Sequence, residues 1–183
     1  MQHSINSMIR NANLADLDAL MEIERECFDC DTIENETVYR ERIQYFPDGF
    51  LVLEEADKPI GFICSEIWHD SETLTPDMFA LEHSIAQSLD RDGNTLYISS
   101  LAVLKHYRGY GFGKKLFQTL ITQIAAKYHG ITEAVLLVGS TWHAAQKLYE
   151  QNGFKVCSSF TDFFGGEMLA PYHGIVMKKQ MRH

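Results

Sequence analysis

The sequence predicts an α+β domain in which a central mixed, mostly antiparallel sheet is flanked by helices. Apolar runs of strand length are bounded by turn residues, and amphipathic helical periods lie between some of them. A strand hairpin comes before a strand–helix–strand–helix–strand succession, which is typical of this class. Since 183 residues suit one core, we expect residues 1–183 to form a single domain.

The N-terminal half is predicted to begin with a short strand and two helices. Asn13 is the predicted N-cap of the first helix, because its side-chain oxygen can accept from free backbone N–H groups. After the second helix, Pro47 and Gly49 mark a turn, since proline presets φ and glycine tolerates a positive φ. The predicted elements are a strand over 8–10, helices over 14–27 and 36–45, and a hairpin of strands over 50–54 and 60–67.

The C-terminal half is predicted to alternate strands and helices. Residues 70–94 are polar and irregular, and we expect them to form a partly helical insertion on the substrate side. Gly153 stands where a helix-ending residue with positive φ is expected. The predicted elements are a strand over 96–104, a helix over 113–128, a strand over 134–138, a helix over 143–151, and strands over 154–160 and 175–178.

Composition argues against several classes of function. A net charge of −9 disfavours nucleic acid as a partner, since phosphate backbones require a cationic surface, and it is compatible with a cationic amine substrate. No apolar run approaches the ~18 residues that span a bilayer, and the N-terminus shows no secretory pattern. We therefore expect no membrane partner and a cytoplasmic location.

Cys27 and Cys30 form a C-x-x-C pair, which makes metal or redox chemistry an alternative to consider. A structural zinc site normally needs a second ligand pair at similar spacing. The remaining cysteines, Cys64 and Cys157, stand alone in apolar segments. The sequence therefore predicts reduced thiols and no metal.

A glycine-rich turn after the strand over 96–104 has the residues of an anion site. Its glycines let the backbone turn tightly and expose consecutive N–H groups, and the start of the next helix adds free donors and a partial positive charge. Such a turn suits a phosphate or pyrophosphate. The turn, called the anion loop below, comprises Arg108, Gly109, Tyr110, Gly111, Phe112, Gly113 and Lys114.

Two other phosphate loops do not fit these residues. A Walker loop needs G-x-x-x-x-G-K-[ST], but Lys115 follows Lys114 here and Arg108 occupies the first glycine position. A dinucleotide fingerprint needs a third glycine where Lys114 stands. The alternative left open by the loop alone is a glycine-rich turn that binds no ligand.

The anion loop is one of several motifs whose order resembles the GNAT superfamily of N-acetyltransferases, and the likeness covers nearly the whole chain. The motifs are Leu101-Ala102-Val103, Arg108-x-x-Gly111-x-Gly113, Leu148-Tyr149-x-x-x-Gly153-Phe154 and Gly174-Ile175-Val176-Met177-Lys178. The resemblance implies a splayed pair of strands that binds CoA, with Leu101, Ala102 and Val103 along the pantetheine arm and the anion loop around the pyrophosphate. Acetyl-CoA is then the acyl donor.

Within the superfamily, the chain looks nearest to the arylalkylamine-N-acetyltransferase-like branch, which implies a small-molecule amine acceptor. The likeness lies at 26–28, 50–52, 60–63 and 74–79. Four positions depart from relatives. Tyr97 and Ser99 stand where animal members carry a histidine pair, Thr32 where some relatives carry glutamate, and Trp142 where an asparagine is frequent.

The resemblance implies direct attack of the amine on acetyl-CoA in a ternary complex, without an acyl-enzyme. Tyr149 is then the candidate general acid toward the CoA thiolate. The general base is left open among Glu34, Tyr97, Asp31 and His173, and Glu34 and Tyr97 are the first choices.

Aromatic residues are candidates for an acceptor pocket, although core packing explains them equally. They are Trp68, Phe79 and Tyr172, whereas His83 and His143 are predicted to lie on the surface. Two other functions stay open: acetylation of a protein N-terminus or lysine, and an inactive CoA-binding module that serves regulation. The oligomeric state also stays open, with a homodimer among the alternatives.

Overall fold

The computed structural model describes residues 7–165 and 173–181, which form seven strands and five α-helices. The strands are β1 Ser7–Asn11, β2 Phe50–Glu55, β3 Lys58–Trp68, β4 Thr95–Val103, β5 Glu133–Gly139, β6 Lys155–Phe160 and β7 Gly174–Gln180. The helices are α1 Leu17–Cys27, α2 Glu36–Tyr45, α3 Ile85–Ser88, α4 Phe112–Lys127 and α5 His143–Gln151.

In this described part of the chain, one sheet holds all seven strands in the order β1-β2-β3-β4-β5-β7-β6. β4 and β5 run parallel, and every other neighbouring pair is antiparallel. α4 provides the crossover that a parallel pair requires. The predicted mixed, mostly antiparallel sheet flanked by helices is therefore confirmed.

Both faces of the sheet are buried at β2 and β3, which explains why these strands read as nearly continuous apolar runs. Successive side chains of β2 point to opposite faces. Phe50 and Val52 pack with α1 and α2, while Leu51 and Leu53 pack with α4. The helices thus sit on both sides of the strands that carry the anion loop.

Each predicted strand and helix lies within one or two residues of an observed one, except at the start of the first helix. There a 3-10 turn over Leu14–Asp16 precedes α1. Asn13 Oδ1 accepts from Ala15 N–H at 2.9 Å, and Asn13 N–H donates to the Asp16 carboxylate at 2.8 Å. The predicted cap at Asn13 is present, and it acts on this tighter first turn.

The predicted irregular insertion over 70–94 holds a 3-10 turn, Pro76–Phe79, and the single-turn helix α3. It packs beside α2 and β3. No helix in the described ranges is long and apolar enough to cross a membrane.

Candidate active site

β4 and β5 separate in the middle of the sheet and leave a gap. Their parallel pairing ends at Ile98 and Leu136. β4 bulges at Ser99, because Cys64 of β3 pairs with Ser100 while the next β3 residue pairs with Ile98. The splayed strand pair that the family resemblance implied is therefore present.

Beyond the bulge, the backbone of β4 presents polar groups to this gap. Leu104 N–H donates to Ile60 O of β3 at 2.9 Å, and Ala102 pairs with β3 as well. Backbone groups alternate in direction along a strand, so those of Leu101 and Val103 point away from β3 into the gap. The sequence analysis expected Ala102 to lie along the pantetheine arm as well, but its backbone groups are bonded to β3.

The anion loop turns from β4 into α4 through two left-handed glycines. Gly109 and Gly111 have φ of 85° and 80°, a region that favours glycine. A Cβ on either would meet no atom within 4 Å. Lys115 N–H makes the first intrahelical bond, to Gly111 O at 3.0 Å, so the preceding amides lack an acceptor within the helix. Open space therefore adjoins free donors at a helix N-terminus.

Two cations border this space. Arg108 Nε donates to Val103 O at 2.9 Å, which holds the guanidinium beside the end of β4, and Lys114 is exposed on the first turn of α4. Tyr110 is 63% exposed and leaves the loop open to solvent. The loop fits a pyrophosphate by its donors, its charge and its free space.

A cavity of about 530 Å³ opens at the splay. The bulged part of β4 forms its floor, and its walls come from the connection between α1 and α2, from 76–83, from α5 and from 160–164. The volume suits a small molecule. Tyr149, Glu34, Tyr97, Asp31 and Leu101, which lie far apart in the sequence, all line it.

Tyr149 lies on α5 and is 8% exposed. Burial alone raises the pKa of its phenol. The hydroxyl is therefore protonated at neutral pH, and it has no hydrogen-bond partner among the described residues. Gly153 ends α5 with the predicted positive φ, here 89°, which turns the chain so that Phe154 packs on Tyr149.

Glu34 is a buried carboxylate in the wall formed by the connection between α1 and α2. Its Oε1 accepts from the backbone N–H groups of Asn35 at 2.8 Å and Glu82 at 3.0 Å. These two amides fix the orientation of the carboxylate. Asp31 lines the same wall but is exposed.

Tyr97 lies on the cavity floor and stacks on Trp68, with ring centroids 4.1 Å apart. Burial raises the pKa of the Tyr97 phenol, and the charge of Arg42 lowers it less. A raised pKa opposes the use of this phenol as a proton acceptor. Trp68 does not line the cavity itself and supports Tyr97 from behind.

His173 does not line the cavity formed by the described residues. Its Nδ1 accepts from Asp162 N–H at 3.3 Å, and its backbone exchanges hydrogen bonds with Ser140. These contacts hold His173 directly before the start of β7. Tyr172, a predicted pocket residue, lies outside the described residues.

Glu24 is a buried acid in the cavity that the sequence reasoning missed. Its carboxylate accepts from Glu34 N–H at 2.9 Å and from the Tyr39 hydroxyl at 2.8 Å. Burial raises the pKa of Glu24 to about 7, and these hydrogen bonds offset only part of that rise. A signal existed: Glu24 follows Leu20 by four residues and so falls on the apolar face of α1.

His83 was predicted to lie on the surface, but it lines the cavity. Its Nε2 lies 2.8 Å from Glu66 Oε1, and its Nδ1 lies 2.9 Å from Ala80 O. Both neighbours are acceptors, so both ring nitrogens carry hydrogen and His83 is an imidazolium. Glu66 raises the pKa of His83 against the effect of burial, and His83 lowers that of Glu66. His143 is exposed, as predicted.

Arg42 is a second buried cation beside the cavity, 2% exposed. Its Nη1 donates to Cys64 Sγ at 3.7 Å, and its Nε has no hydrogen-bond partner among the described residues. Burial lowers the pKa of Arg42, but Cys64 and then Glu66 raise it, and the net shift is upward. The Glu66 Oε2 atom is likewise buried without a partner in the described ranges.

Aromatic rings form a continuous chain of contacts along the cavity, with centroid separations of 5.0–6.2 Å. In order of contact they are Phe28, Trp142, Phe164, Phe163, Phe160, Phe79 and Tyr97. This aromatic wall gives the cavity an apolar lining that π systems and alkyl groups pack against.

The cysteines make no disulfide. Cys27 Sγ donates to Val103 O at 3.5 Å, whereas Cys30 is exposed on the following turn. Within the described ranges, no group of three or more His, Cys, Asp or Glu residues could hold a metal ion.

Comparison with known protein families matches the part of the chain that contains β4, the anion loop and α5. The acetyltransferase (GNAT) family matches residues 17–154, which include all three. The chain belongs to this family.

Individual relatives place the GNAT fold in context. The uncharacterized N-acetyltransferase YkwB of Bacillus subtilis (strain 168) is 31% identical over 124 residues, 61% of this chain and 52% of that protein. The match therefore spans about half the length of that relative.

Two solved structures share the fold. The loading GNATL domain of CurA from Lyngbya majuscula has a TM-score of 0.80 at 15% identity, covering 95% of this chain and 97% of that one. Arabidopsis thaliana Naa50 in complex with the bisubstrate analogue CoA-Ac-MVNAL has a TM-score of 0.71 at 19% identity, covering 96% and 99%.

Proposed function

We propose that this protein transfers the acetyl group of acetyl-CoA to the primary amine of a small molecule, by direct attack in a ternary complex. The observation that carries the proposal is the continuity of two sites. The anion loop follows the end of β4 after one 3-10 turn, Lys105–Tyr107, and the floor of the cavity lies on β4 itself. A CoA arm that follows β4 from the loop delivers its thioester to the cavity.

The donor site is proposed to use backbone groups. The N–H and C=O of Leu101 and the N–H of Val103 face the gap and can bond the pantetheine amides like an added strand, whereas Val103 O already accepts from Arg108 and Cys27. The Val103 N–H is also proposed to polarise the thioester carbonyl. Pyrophosphate is held by the anion loop, whose members are Arg108, Gly109, Tyr110, Gly111, Phe112, Gly113 and Lys114.

Acetyl transfer requires a neutral amine, stabilisation of the oxyanion and a proton for the leaving thiolate. We propose that Glu34, held by two amides, accepts the amine proton directly or through water. Glu24 lies one hydrogen bond away from Glu34, and its pKa of about 7 makes it a competent second acceptor. The amine nitrogen bonds to the thioester carbon, the C–S bond breaks, and Tyr149 donates its proton to the sulfur.

A small apolar amine is favoured over a polypeptide by the walls of the cavity. The segment 76–83 and residues 160–164 both line the cavity, and they meet where the Phe79 and Phe160 rings lie 5.9 Å apart. Acidic residues at the rim, Asp31, Asp77 and Asp162, attract an ammonium group. These features support an acceptor of the arylalkylamine type.

We also propose that residues 1–183 form one domain and, because all four cysteines are free, that it acts in the cytoplasm.

The proposal is tested by thiol release from acetyl-CoA with a panel of amines. We expect saturable turnover with 2-phenylethylamine or a related small amine, and an acetylated product of the corresponding mass. The panel includes peptides with free N-termini, because the Arabidopsis relative was solved with a peptide-bearing bisubstrate analogue. Turnover with peptides alone would support a protein acetyltransferase. Tight CoA binding with no turnover on any amine would support an inactive CoA-binding module.

A further inference from the structure

Arg42 lines the acceptor cavity as a buried guanidinium without an ion-pair partner among the described residues. Its one recorded hydrogen bond goes to a sulfur, Cys64 Sγ, at 3.7 Å. A guanidinium offers five N–H donors in a planar fork that matches a carboxylate. Removing such a charge from water is unfavourable unless an anion or several acceptors compensate it. An anionic group bound at Arg42 would supply this compensation.

The acids nearest to Arg42 do not supply that group. Glu66 already accepts hydrogen bonds from the His83 imidazolium and from Trp68 Nε1, so its charge is matched by His83. Glu24 contacts Tyr39 and the Glu34 amide, and its raised pKa leaves it partly protonated at neutral pH. Among the described residues, no carboxylate therefore forms an ion pair with Arg42.

Arg42 also lies close to the expected point of chemistry. The Cys64 residue that it contacts is paired with Ser100, which directly precedes Leu101 and its gap-facing backbone. Consecutive residues of a strand are about 3.3 Å apart. An anion held by Arg42 thus lies beside the part of β4 along which the thioester is proposed to lie.

We propose that the acceptor carries a carboxylate on the same carbon as its amine or on the adjacent one, and that Arg42 binds this carboxylate. The proposal rests on the acetyl-transfer function proposed above and narrows it. The aromatic wall then holds the side chain, so the acceptor class is a free amino acid with an aromatic or apolar side chain. The Nη of Arg42 that bonds no described residue donates to the carboxylate.

The first test compares acceptors on the wild-type protein. Thiol release at saturating acetyl-CoA is measured with L-phenylalanine, with its amide and with 2-phenylethylamine, which share the ring and the amine. We expect kcat/KM for L-phenylalanine to exceed that for the other two by about 100-fold, since a buried donor fork rejects analogues that leave it unpaired. Equal values, or a preference for either analogue without the carboxylate, would overturn the proposal.

The second test changes Arg42. Arg42→Met should lower kcat/KM for L-phenylalanine by about 100-fold and that for 2-phenylethylamine by less than about threefold, while Arg42→Lys should give an intermediate loss. Arg40→Gln is the matched control, because Arg40 is an exposed arginine on the same helix, paired with Glu36. Equal losses for both acceptors in Arg42→Met would show a structural role, as expected if one buried water joins Arg42 Nε to Glu66 Oε2.

A binding measurement separates this proposal from the proposed function. N-acetyl-L-phenylalanine and N-acetyl-2-phenylethylamine are titrated by calorimetry into the wild-type protein in the presence of CoA. Binding of the first alone, with no thiol release from any amine, would refute acetyl transfer and support the carboxylate site. Turnover of 2-phenylethylamine together with equal binding of both compounds would support acetyl transfer and overturn the carboxylate site. This comparison requires no variant, so it holds even if Arg42→Met does not fold.

Discussion

Tyr149→Phe tests the proposed general acid with little structural disturbance. The tyrosine is buried, its ring packs on Phe154 at 6.0 Å, and its hydroxyl bonds no described residue. Phenylalanine keeps the ring, so no protein hydrogen bond is lost and the free energy of unfolding should change by less than about 0.5 kcal/mol. Loss of the proton donor should lower kcat by about 100-fold, equivalent to about 2.7 kcal/mol of activation free energy.

The assay is steady-state thiol release at varied acetyl-CoA, together with urea unfolding of the same preparations. KM for acetyl-CoA should change less than kcat, because the hydroxyl is proposed to act on the leaving sulfur and not on the bound ground state. An unchanged kcat would remove Tyr149 from the mechanism. A fall in kcat that accompanies a comparable loss of stability would instead assign Tyr149 to the core.

Tyr128→Phe is the matched control, since Tyr128 lies outside the cavity. Its hydroxyl donates to Asp48 Oδ2 at 2.7 Å, and burial with this bond raises the pKa of Tyr128 to about 12. Removing a hydrogen bond to a charged acceptor should destabilise the protein by about 1–2 kcal/mol. We expect kcat to stay at the wild-type value. The two variants therefore predict opposite patterns of stability and activity.

Three further predictions follow from the geometry. Gly111→Ala should destabilise the protein by about 1 kcal/mol because its φ is 80°, and it should weaken CoA binding in calorimetry, whereas Gly130→Ala, with ordinary backbone and contacts, should not affect CoA binding. Glu24 has a folded-state pKa of about 7 against an ordinary 4.5, so the native state keeps this proton longer than the unfolded state and wild-type stability falls as pH rises between those values. Glu24→Gln should remove about 3 kcal/mol of that fall between pH 5 and pH 8, and identical pH slopes in urea unfolding would contradict this. His83→Gln should cost about 3 kcal/mol by leaving Glu66 buried without its cation; because the pKa of His83 is raised, the loss should be largest at low pH and shrink as pH rises through that pKa, and a loss independent of pH would refute the ion pair.

Much of the donor site could be predicted from the sequence because its elements are local. The anion loop is seven consecutive residues that include the first turn of α4, and its two positive-φ glycines lie three and one residues before that helix. Tyr149 and Gly153 share one helix end, so their spacing alone describes their geometry. Even the Asn13 cap depends on contacts within three residues.

The acceptor site was less accessible to that reasoning, because its residues meet through long-range packing. Tyr97 was a candidate base by position, but burial against Trp68 opposes the loss of its proton. His83 was predicted to be exposed, since a polar insertion surrounds it, yet the insertion folds back so that His83 reaches Glu66 in β3. Sequence spacing does not encode which strand an insertion will cover.

The sequence by itself determined the α+β class, the positions of the strands and helices, the family and the anion loop, since hydrophobic period, turn chemistry and helix ends are properties of neighbouring residues. The tertiary structure alone decided the acceptor cavity. From the sequence alone, Glu24 and Arg42 can be placed only on the apolar faces of α1 and α2. The order of the strands and the bulge of β4 form one cavity floor, and both helices pack beside it. Burial there raises the pKa of Glu24. No described carboxylate forms an ion pair with Arg42.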